Sequence, residues 1–430
     1  MTDGMTALKE AGGDRRECQV YGSRPHEEEG DAMPFAERMA YISQYLHNST
    51  AGLEVSYRDT AERLIDEMSA SREEPHAAGD GEACEPTVQY NLFPELFSVP
   101  FPPPLHYDFT FIDLFAGIGG FRIPLQEAGG RCVFSSEFNS HAQKVYSKNY
   151  GETPFGDITK IPVSLIPDHD VLTGGFPCQP FSISGKMRGF EDTRGTLIYN
   201  VFKIIEAKQP KVVLLENVKH LVHHNGGKTL GTIIDGLKQL GYIPSYKVLN
   251  ATDFGVPQNR ERLIIIAHKE REFDFSRLRH SPMRFIKDII DPPGTPFEYL
   301  KEPYTLLDDF KMQDSGLIFV GYRNKNIRKA GVRPGTENLS RVHKQPNRIY
   351  HINGVHPALP SQETSGRFWV YDGERVRKLT INECYKLMGF PEKFIRDESL
   401  SEQYKQIGNS VCIQMAGEII SQIKEQLLNC

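Results

Sequence analysis

The run FTFIDLF at residues 109–115, emptying into AGIGG at 116–120, decides how the rest of the chain is read. A short apolar run rich in β-forming residues that breaks into glycines describes a strand ending in a tight turn. The same texture returns downstream in CVFSSE (132–137), DVLTGGF (170–176), KVVLLENV (211–218) and RLIIIAH (262–268). Between these runs lie stretches of helical periodicity at 140–150, 196–208 and 228–240. Strands alternating with helices predict an α/β domain built on a doubly wound, mostly parallel sheet. After Glu270 the pattern breaks into short strand-like pieces with Pro, Gly and Asn, which predicts a smaller, irregular, strand-rich domain. Thr380 and Glu383 form a capping-box pattern opening a helix through Met388, and a last helix is expected over 411–428. There are no internal repeats.

Residues 1–106 have a different character. Residues 1–100 hold 8 Lys/Arg and 20 Asp/Glu, a balance of −12, whereas the remaining 330 carry +6. The acidic triplet at 27–29, the stretch 69–85 and the prolines at 100 and 102–104 read as linker material, partly disordered. Only 35–68 has enough Leu, Ile and Tyr at helical spacing for one or two helices. An extension so acidic repels phosphates, so deleting residues to about 90 is expected to leave the activity of the rest intact. Within the basic remainder, residues 321–350 hold Arg323, Lys325, Arg328, Lys329, Arg333, Arg341, Lys344 and Arg348 against a single acid, Glu337. Such a cluster is either a solvated loop or a surface for phosphates.

The composition, 39% hydrophobic and 25% charged, is that of a soluble globular protein. The first 20 residues lack the apolar core of a signal peptide, and the longest apolar runs are strand-sized, so no membrane association is expected. The seven cysteines, at 18, 84, 132, 178, 384, 412 and 430, include no CxxC pair. That disfavours a disulfide framework or a zinc module and suits a reducing cytoplasm.

In a doubly wound sheet, ligands sit beyond the carboxyl ends of the strands, and the unusual residues of this chain fall there. Gly117, Gly119 and Gly120 follow the first strand, and Glu137 ends the second, 20 residues after Gly117, at the spacing of a ribose-gripping carboxylate. Alone, the glycines would describe a simple turn; the regular G-x-G-x-x-G of a nicotinamide site is missing. Cys178, between Pro177 and Pro180, is displayed on a stiff loop just past the third run, although a lone cysteine is often only a small buried apolar residue. Glu216 ends the KVVLL run, and Arg260 and Arg262 enter the next one, a set that serves equally as chemistry or as an ion pair.

FIDLFAGIGGFR, GFPCQPFSISGK, ENV, QNRER and GNSV (408–411) resemble, in order, the motifs of DNA (cytosine-5) methyltransferases of the bacterial and phage restriction–modification type. The resemblance covers about 107–270 and 376–428. It implies the S-adenosylmethionine-dependent methyltransferase fold, with a catalytic and cofactor-binding domain at 107–270. It also implies a target-recognition domain at 271–378 and a segment, 379–430, returning to the catalytic domain. It implies Cys178 as nucleophile, Glu216 as the acid at cytosine N3, and Arg262 with Arg260 as cations that contact the ring oxygen and steady Glu216. For S-adenosylmethionine it implies Phe115, Gly117, Ile118 and Gly119 as wall and floor and Glu137 at the ribose. Asp157 and Ile158 would hold the adenine, Asn409, Ser410 and Val411 the methionine end, and Pro177 and Leu197 would add further contacts. Gln179 and Ser184 would fill the gap left by a base swung out of the helix. The expected partner is double-stranded DNA with a short recognition site. A cognate restriction endonuclease would act independently, and the enzyme would work as a monomer in the cytoplasm.

Chemistry agrees with those roles. Cytosine C5 is too poor a nucleophile to take a sulfonium methyl group until a thiolate adds to C6, and a proton on N3 stabilises the charge that develops. A glutamate can hold that proton if burial favours its neutral form. Because C6 is stacked inside a duplex, the base must be flipped out at a cost of a few kcal/mol. No step needs a metal. Among the bases of 321–350, lysines suit phosphates. The planar forks of Arg323, Arg328, Arg333, Arg341 and Arg348 also suit guanine edges, so at least one of them is expected to read a base. The segments 341–349 and 361–367 bear a loose likeness to enzymes modifying short palindromes such as GGCC. Other readings are an RNA cytosine methyltransferase, a catalytically silent DNA-binding protein and a nicotinamide-dependent oxidoreductase. The roughly 100 residues between Glu270 and Arg377, the intact Cys178, Glu216 and Arg262, and the irregular glycine spacing speak against these in turn.

Overall fold

The computed structural model describes residues 33–70, 93–177, 197–324, 335–336, 338–361 and 368–429. Helices α1 (Phe35–Ser49) and α2 (Arg58–Ala70) precede the sheet, as the periodicity of 35–68 predicts. The sheet comprises β1 (Phe109–Leu114), β2 (Gly130–Ser136), β3 (Val171–Gly174), β4 (Val212–Val218), β5 (Ile243–Asn250) and, after the two-residue β6 (Gln258–Asn259), β7 (Glu261–His268). Its order is β2-β1-β3-β4-β7-β5. Neighbours from β2 through β4 run parallel, and β7 runs antiparallel to both β4 and β5. This is the doubly wound, mostly parallel sheet expected from the sequence. Strands β1 to β4 are buried almost throughout, because helices cover both faces of a parallel sheet.

Strand β5 was not anticipated. It lies at the sheet edge with most residues half-buried or exposed, and it carries Pro244, a residue a sheet accepts only where its missing N–H is not needed. Its sequence therefore lacks the continuous apolar run that marks the inner strands. Helices α3 (Arg122–Glu127), α4 (Ser140–Tyr150), α5 (Leu197–Lys208) and α6 (Lys228–Gln239) make the crossovers. The Asn139 side chain caps α4 by accepting from the Ala142 N–H at 3.0 Å.

The smaller sheet comprises β8 (Tyr304–Leu306), β9 (Phe319–Arg323), β10 (Arg348–His351), β12 (Trp369–Tyr371) and β13 (Val376–Lys378), ordered β13-β12-β10-β9-β8. It has its own apolar centre in Ile318, Val320, Ile349, Trp369 and Val376. Between its strands, β11 (His356–Pro357) reaches back to pair with β6. Helices α7 (Ile381–Met388), α8 (Leu400–Asn409) and α9 (Ile413–Ile423) return to the main core, where Cys384, Leu387, Met388 and Ile419 join Phe111 and Leu214. Thr380 and Glu383 form the expected capping box: the Thr380 hydroxyl accepts from the Glu383 N–H at 3.0 Å, and the Glu383 carboxylate accepts from the Thr380 N–H at 2.8 Å.

One expectation about the acidic extension is at odds with the packing. Phe35–Cys430 form one compact unit, and α1 lies against the outer edge of β2 with Ser43, Gln44, His47 and Asn48 buried. Its Gln44 and Asn48 side chains bond main-chain groups of β2, so this helix is not the detachable element its net charge suggests. Net charge describes solubility and association; it does not say where a helix packs.

Candidate active site

The strand order reverses on either side of β1, which opens a crevice beyond the carboxyl ends of β1 and β3. A cavity of about 1090 Å³ fills it. From the turn after β1 come Phe115, Gly117 and Ile118, from the end of β2 comes Glu137, and from the following loop come Asp157 and Ile158. Pro177 and Leu197 line it from the third crossover, and Asn409, Ser410 and Val411 close it from the C-terminal segment. Glu216, Arg260 and Arg262 share the same wall. Residues up to 300 positions apart in sequence thus converge on one crevice.

The glycine turn is held from two sides. Phe115 has φ +55°, a region bulky residues rarely occupy and which concentrates at functional sites. The Glu137 carboxylate accepts from the Gly117 N–H at 2.7 Å and from the Asn139 N–H at 2.7 Å. Burial pushes the Glu137 carboxyl above the ordinary carboxylate range, and those amides pull it back. Gly119 does not line the cavity: with φ +83° it packs on Tyr150, whose hydroxyl donates to the Ile118 and Gly119 carbonyls at 3.2 and 3.1 Å. Its place is behind the turn, where a side chain would collide with the Tyr150 ring.

The acid-and-cation set has a register explanation. In the antiparallel β4–β7 pair, Glu216 lies opposite Ile264 and Val218 opposite Arg262, which makes Glu216 and Arg262 diagonal neighbours on one face. Arg262 Nε meets Glu216 Oε1 at 2.8 Å. Burial raises the Glu216 pKa, while Arg262 and then Arg260 oppose the rise. The two arginines have different jobs. The Arg260 guanidinium is wholly buried and donates to the carbonyls of Leu359 (3.1 Å), Gly408 (2.9 Å) and Ser410 (2.7 Å). It ties the small-sheet side and the C-terminal segment to the larger sheet and reaches Glu216 only through its field.

Cys178, Gln179 and Ser184 lie outside the described residues, but the chain leading to them does not. The Asn217 side chain donates to the Phe176 carbonyl at 2.8 Å, two residues ahead of Cys178, and so pins the backbone that leads into it. Asn217 is the middle of the ENV triplet, and its pinning role was not read from sequence because it depends on β3 and β4 being neighbours. Phe138 was also missed. A phenylalanine 79% exposed at the rim of a cavity offers a flat apolar face to a ring-shaped ligand. Its signal was available: a large aromatic directly after the strand-end acid. The wall formed by Ala358, Leu359, Pro360 and Ser361 carried no such signal, since it is placed by the buried Gln258 side chain accepting from the Leu359 N–H at 2.9 Å.

Arg323, Arg341 and Arg348 stand away from the cavity, on and around the small sheet, and Arg328 and Arg333 fall outside the described residues. Arg323 pairs with Glu302 and lies over the Trp369 ring at 5.4 Å. Arg348 donates to the His343 carbonyl at 3.0 Å and to Gln345 at 2.5 Å. Arg341 is exposed, with no hydrogen bond or ion pair among the described residues. Among those residues no helix is long and apolar enough to cross a membrane.

A family model described as C-5 cytosine-specific DNA methylase matches residues 109–425. The chain is 40% identical over 328 residues to the Type II methyltransferase M.HhaI of Haemophilus parahaemolyticus, covering 74% of this chain and 94% of that protein. It is 40% identical over 360 residues to the Type II methyltransferase M.HpaII of Haemophilus parainfluenzae, covering 80% and 96%. In three dimensions it resembles the S. pombe Dnmt2 methyltransferase, with a TM-score of 0.54 at 19% identity over 75% of this chain and 100% of that one. A putative DNA modification methyltransferase from an E. coli prophage gives 0.54 at 20% identity over 75% and 99%.

Proposed function

The chain belongs to the C-5 cytosine-specific DNA methylase family and is a DNA (cytosine-5) methyltransferase, and we propose that its methyl donor is S-adenosylmethionine, held in the crevice beyond β1 and β3. The residues there fit that molecule. Glu137 offers carboxylate oxygens to ribose hydroxyls, Phe138 a flat face to the adenine, and Asp157 and Ile158 its edge. Phe115, Ile118, Leu197 and Val411 supply apolar walls, and Gly117 leaves open space where a side chain would stand. Pro177, Asn409 and Ser410 close the methionine end. When bound, the donor supplies an electrophilic methyl group.

The chain's own residues prepare the cytosine to receive it. The Cys178 thiolate bonds to C6 and pushes electron density onto C5. Glu216, whose pKa burial raises against the pull of Arg262, places a proton at N3, and Arg262 fixes the carboxyl in the position from which it does so. After transfer, loss of the C5 proton returns the electron pair and expels Cys178. Gln179 and Ser184, one and six residues after Cys178 in sequence, would fill the space left in the duplex by the flipped base. The observation that carries this reading is the single crevice shared by the Glu137-locked glycine turn and the Glu216–Arg262 pair, with Asn217 holding the backbone that leads into Cys178. The relatives' name, Type II methyltransferase, supports a place in a restriction–modification pair, protecting DNA from an independent endonuclease.

The test is methyl transfer from labelled S-adenosylmethionine to duplex DNA, with the hydrolysed bases separated. Label should appear in 5-methylcytosine, and Cys178→Ala should abolish it. DNA carrying 5-fluorocytosine at the target should trap the wild-type chain covalently, because the fluorine cannot leave as a proton does. Label only in RNA, or an adduct that survives Cys178→Ala, would overturn the reading.

A further inference from the structure

The family match begins at Phe109, and α1 lies wholly before it. Four consecutive inward positions of this helix nevertheless carry polar side chains that are buried completely or nearly so: Ser43, Gln44, His47 and Asn48. Polar groups so buried call for partners. Ser43, Gln44 and Asn48 find main-chain atoms of two segments that lead into the cofactor crevice, whereas His47 Nε2 meets the Leu96 carbonyl at 3.2 Å.

The first segment is the outer edge of β2. Gln44 donates through Nε2 to the Ser135 carbonyl at 3.1 Å and accepts at Oε1 from the Ser135 N–H at 3.2 Å, so one carboxamide imitates a neighbouring strand. Asn48 donates to the Val133 carbonyl at 2.9 Å, one step earlier on the same edge. Ser135 stands two residues before Glu137. The second segment is 152–155. Gln44 Nε2 also donates to the Thr153 carbonyl at 3.0 Å, and Ser43 Oγ accepts from the Thr153 N–H at 2.9 Å. Phe155 ends that segment, with its ring 5.0 Å edge-on from Tyr41 and its carbonyl accepting from the Glu137 N–H at 2.8 Å. Asp157 follows two residues later. Glu137 and Asp157 thus hang from two backbone segments that the Phe155 N–H joins directly, donating to the Ser135 carbonyl at 2.9 Å, and that Gln44 braces from outside.

A buried ionic network continues the grip. Glu152 takes hydrogen bonds from Arg122 at 3.2 Å and from the Ser135 hydroxyl at 2.5 Å, and His47 Nδ1 stands 3.6 Å away. Burial works against its ionisation, yet Arg122 and His47 hold its carboxyl at about 2. Arg122 also donates to Tyr146 at 3.0 Å, whose hydroxyl reaches Asp113 at 3.3 Å, on the strand that ends in the glycine turn.

We propose that α1 is a positioning element of the donor site, with Gln44 setting the spacing between the ribose acid Glu137 and the adenine-side residue Asp157. The inference rests on the S-adenosylmethionine reading above. Main-chain bonds join the edge strand to the 152–155 segment only at Phe155. The Gln44 and Ser43 side chains add directional contacts at Ser135 and Thr153 that hold the spacing on the near side of that bridge.

Calorimetry with S-adenosylhomocysteine, run well below the melting temperature, separates positioning from simple stability. Gln44→Ala should weaken binding by roughly five- to tenfold, the worth of one or two net hydrogen bonds, and should raise KM for the donor while leaving kcat within about twofold. Ile65→Ala, which truncates a buried apolar side chain of α2, should lower the melting temperature yet leave affinity within about twofold. If Gln44→Ala does not fold, Ser43→Ala is measured in the same way. Equal effects of the α1 and α2 variants on affinity, or none from either α1 variant, overturn the positioning role while leaving the donor reading intact. A wild-type chain that binds no S-adenosylhomocysteine overturns the donor reading, and this inference with it.

Discussion

Arg262 Nε and Glu216 Oε1 stand 2.8 Å apart because antiparallel β7 places its first turn of chain diagonally across from the last residues of β4. In this pair the side chains are only 13% and 12% exposed, so the contact is far less screened than a surface ion pair would be.

The pair sets the proton affinity of Glu216. Burial raises its pKa and Arg262 lowers it, so removing the cation should raise it further. Carbon-13 titration of labelled glutamate carboxyls, with Glu216→Gln identifying the signal, should show a wild-type pKa above the usual carboxylate range and a higher one in Arg262→Met. Because Glu216 acts in its protonated form, the alkaline limb of turnover should move to higher pH in that variant. An unmoved or lowered Glu216 pKa would contradict the assignment.

Asn217 should govern chemistry more than binding. Asn217→Asp keeps the shape but turns the donor to the Phe176 carbonyl into an acceptor, leaving two oxygens face to face. Turnover should fall by roughly tenfold or more, while the dissociation constant for S-adenosylhomocysteine stays within about twofold. A loss confined to donor affinity would show that the loop ahead of Cys178 is positioned by something else.

Glu137 should serve both fold and donor. Glu137→Ala should weaken donor binding by ~1.5–3 kcal/mol, the worth of charged hydrogen bonds. It should also lower the melting temperature, because the Gly117 and Asn139 amides lose their acceptor. Glu137→Gln retains acceptor oxygen and should recover part of the stability. Unchanged affinity in Glu137→Ala would refute its role at the ribose.

Of the three described arginines in 321–350, Arg341 is the one whose side chain has no partner among the described residues. Arg323 is committed to Glu302 and Trp369, and Arg348 to His343 and Gln345. Arg341→Ala should cost ~1–3 kcal/mol on the target and relax discrimination at one base pair, measured as methylation of single-base-variant sites. Lys344→Ala should weaken target and random DNA alike, with a shallower salt dependence. Arg348→Ala should act first on the stability of the small sheet. Uniform weakening by Arg341→Ala would assign base reading to other residues, with Arg328 and Arg333 next in line.

Local pattern carried a large part of this protein. Inner strands such as β1, β4 and β7 are buried on both faces, so their sequences are continuous apolar runs, and the residues that interrupt those runs mark the functional edge. Glu137, Glu216 and Arg262 were therefore legible one at a time. What local pattern does not encode is adjacency. That Asn217 reaches Phe176, that Arg260 binds carbonyls 99 to 150 residues away, and that Gln44 closes an edge 91 residues downstream follow from strand order and register. The acidic character of the first 100 residues marked them as separate, yet α1 presents its few buried amides to an edge strand whose own N–H and C=O groups needed partners. Periodicity reports which face of an element is dry; only the assembled sheet decides which backbone groups are left unpaired, and hence which distant side chain must come to meet them.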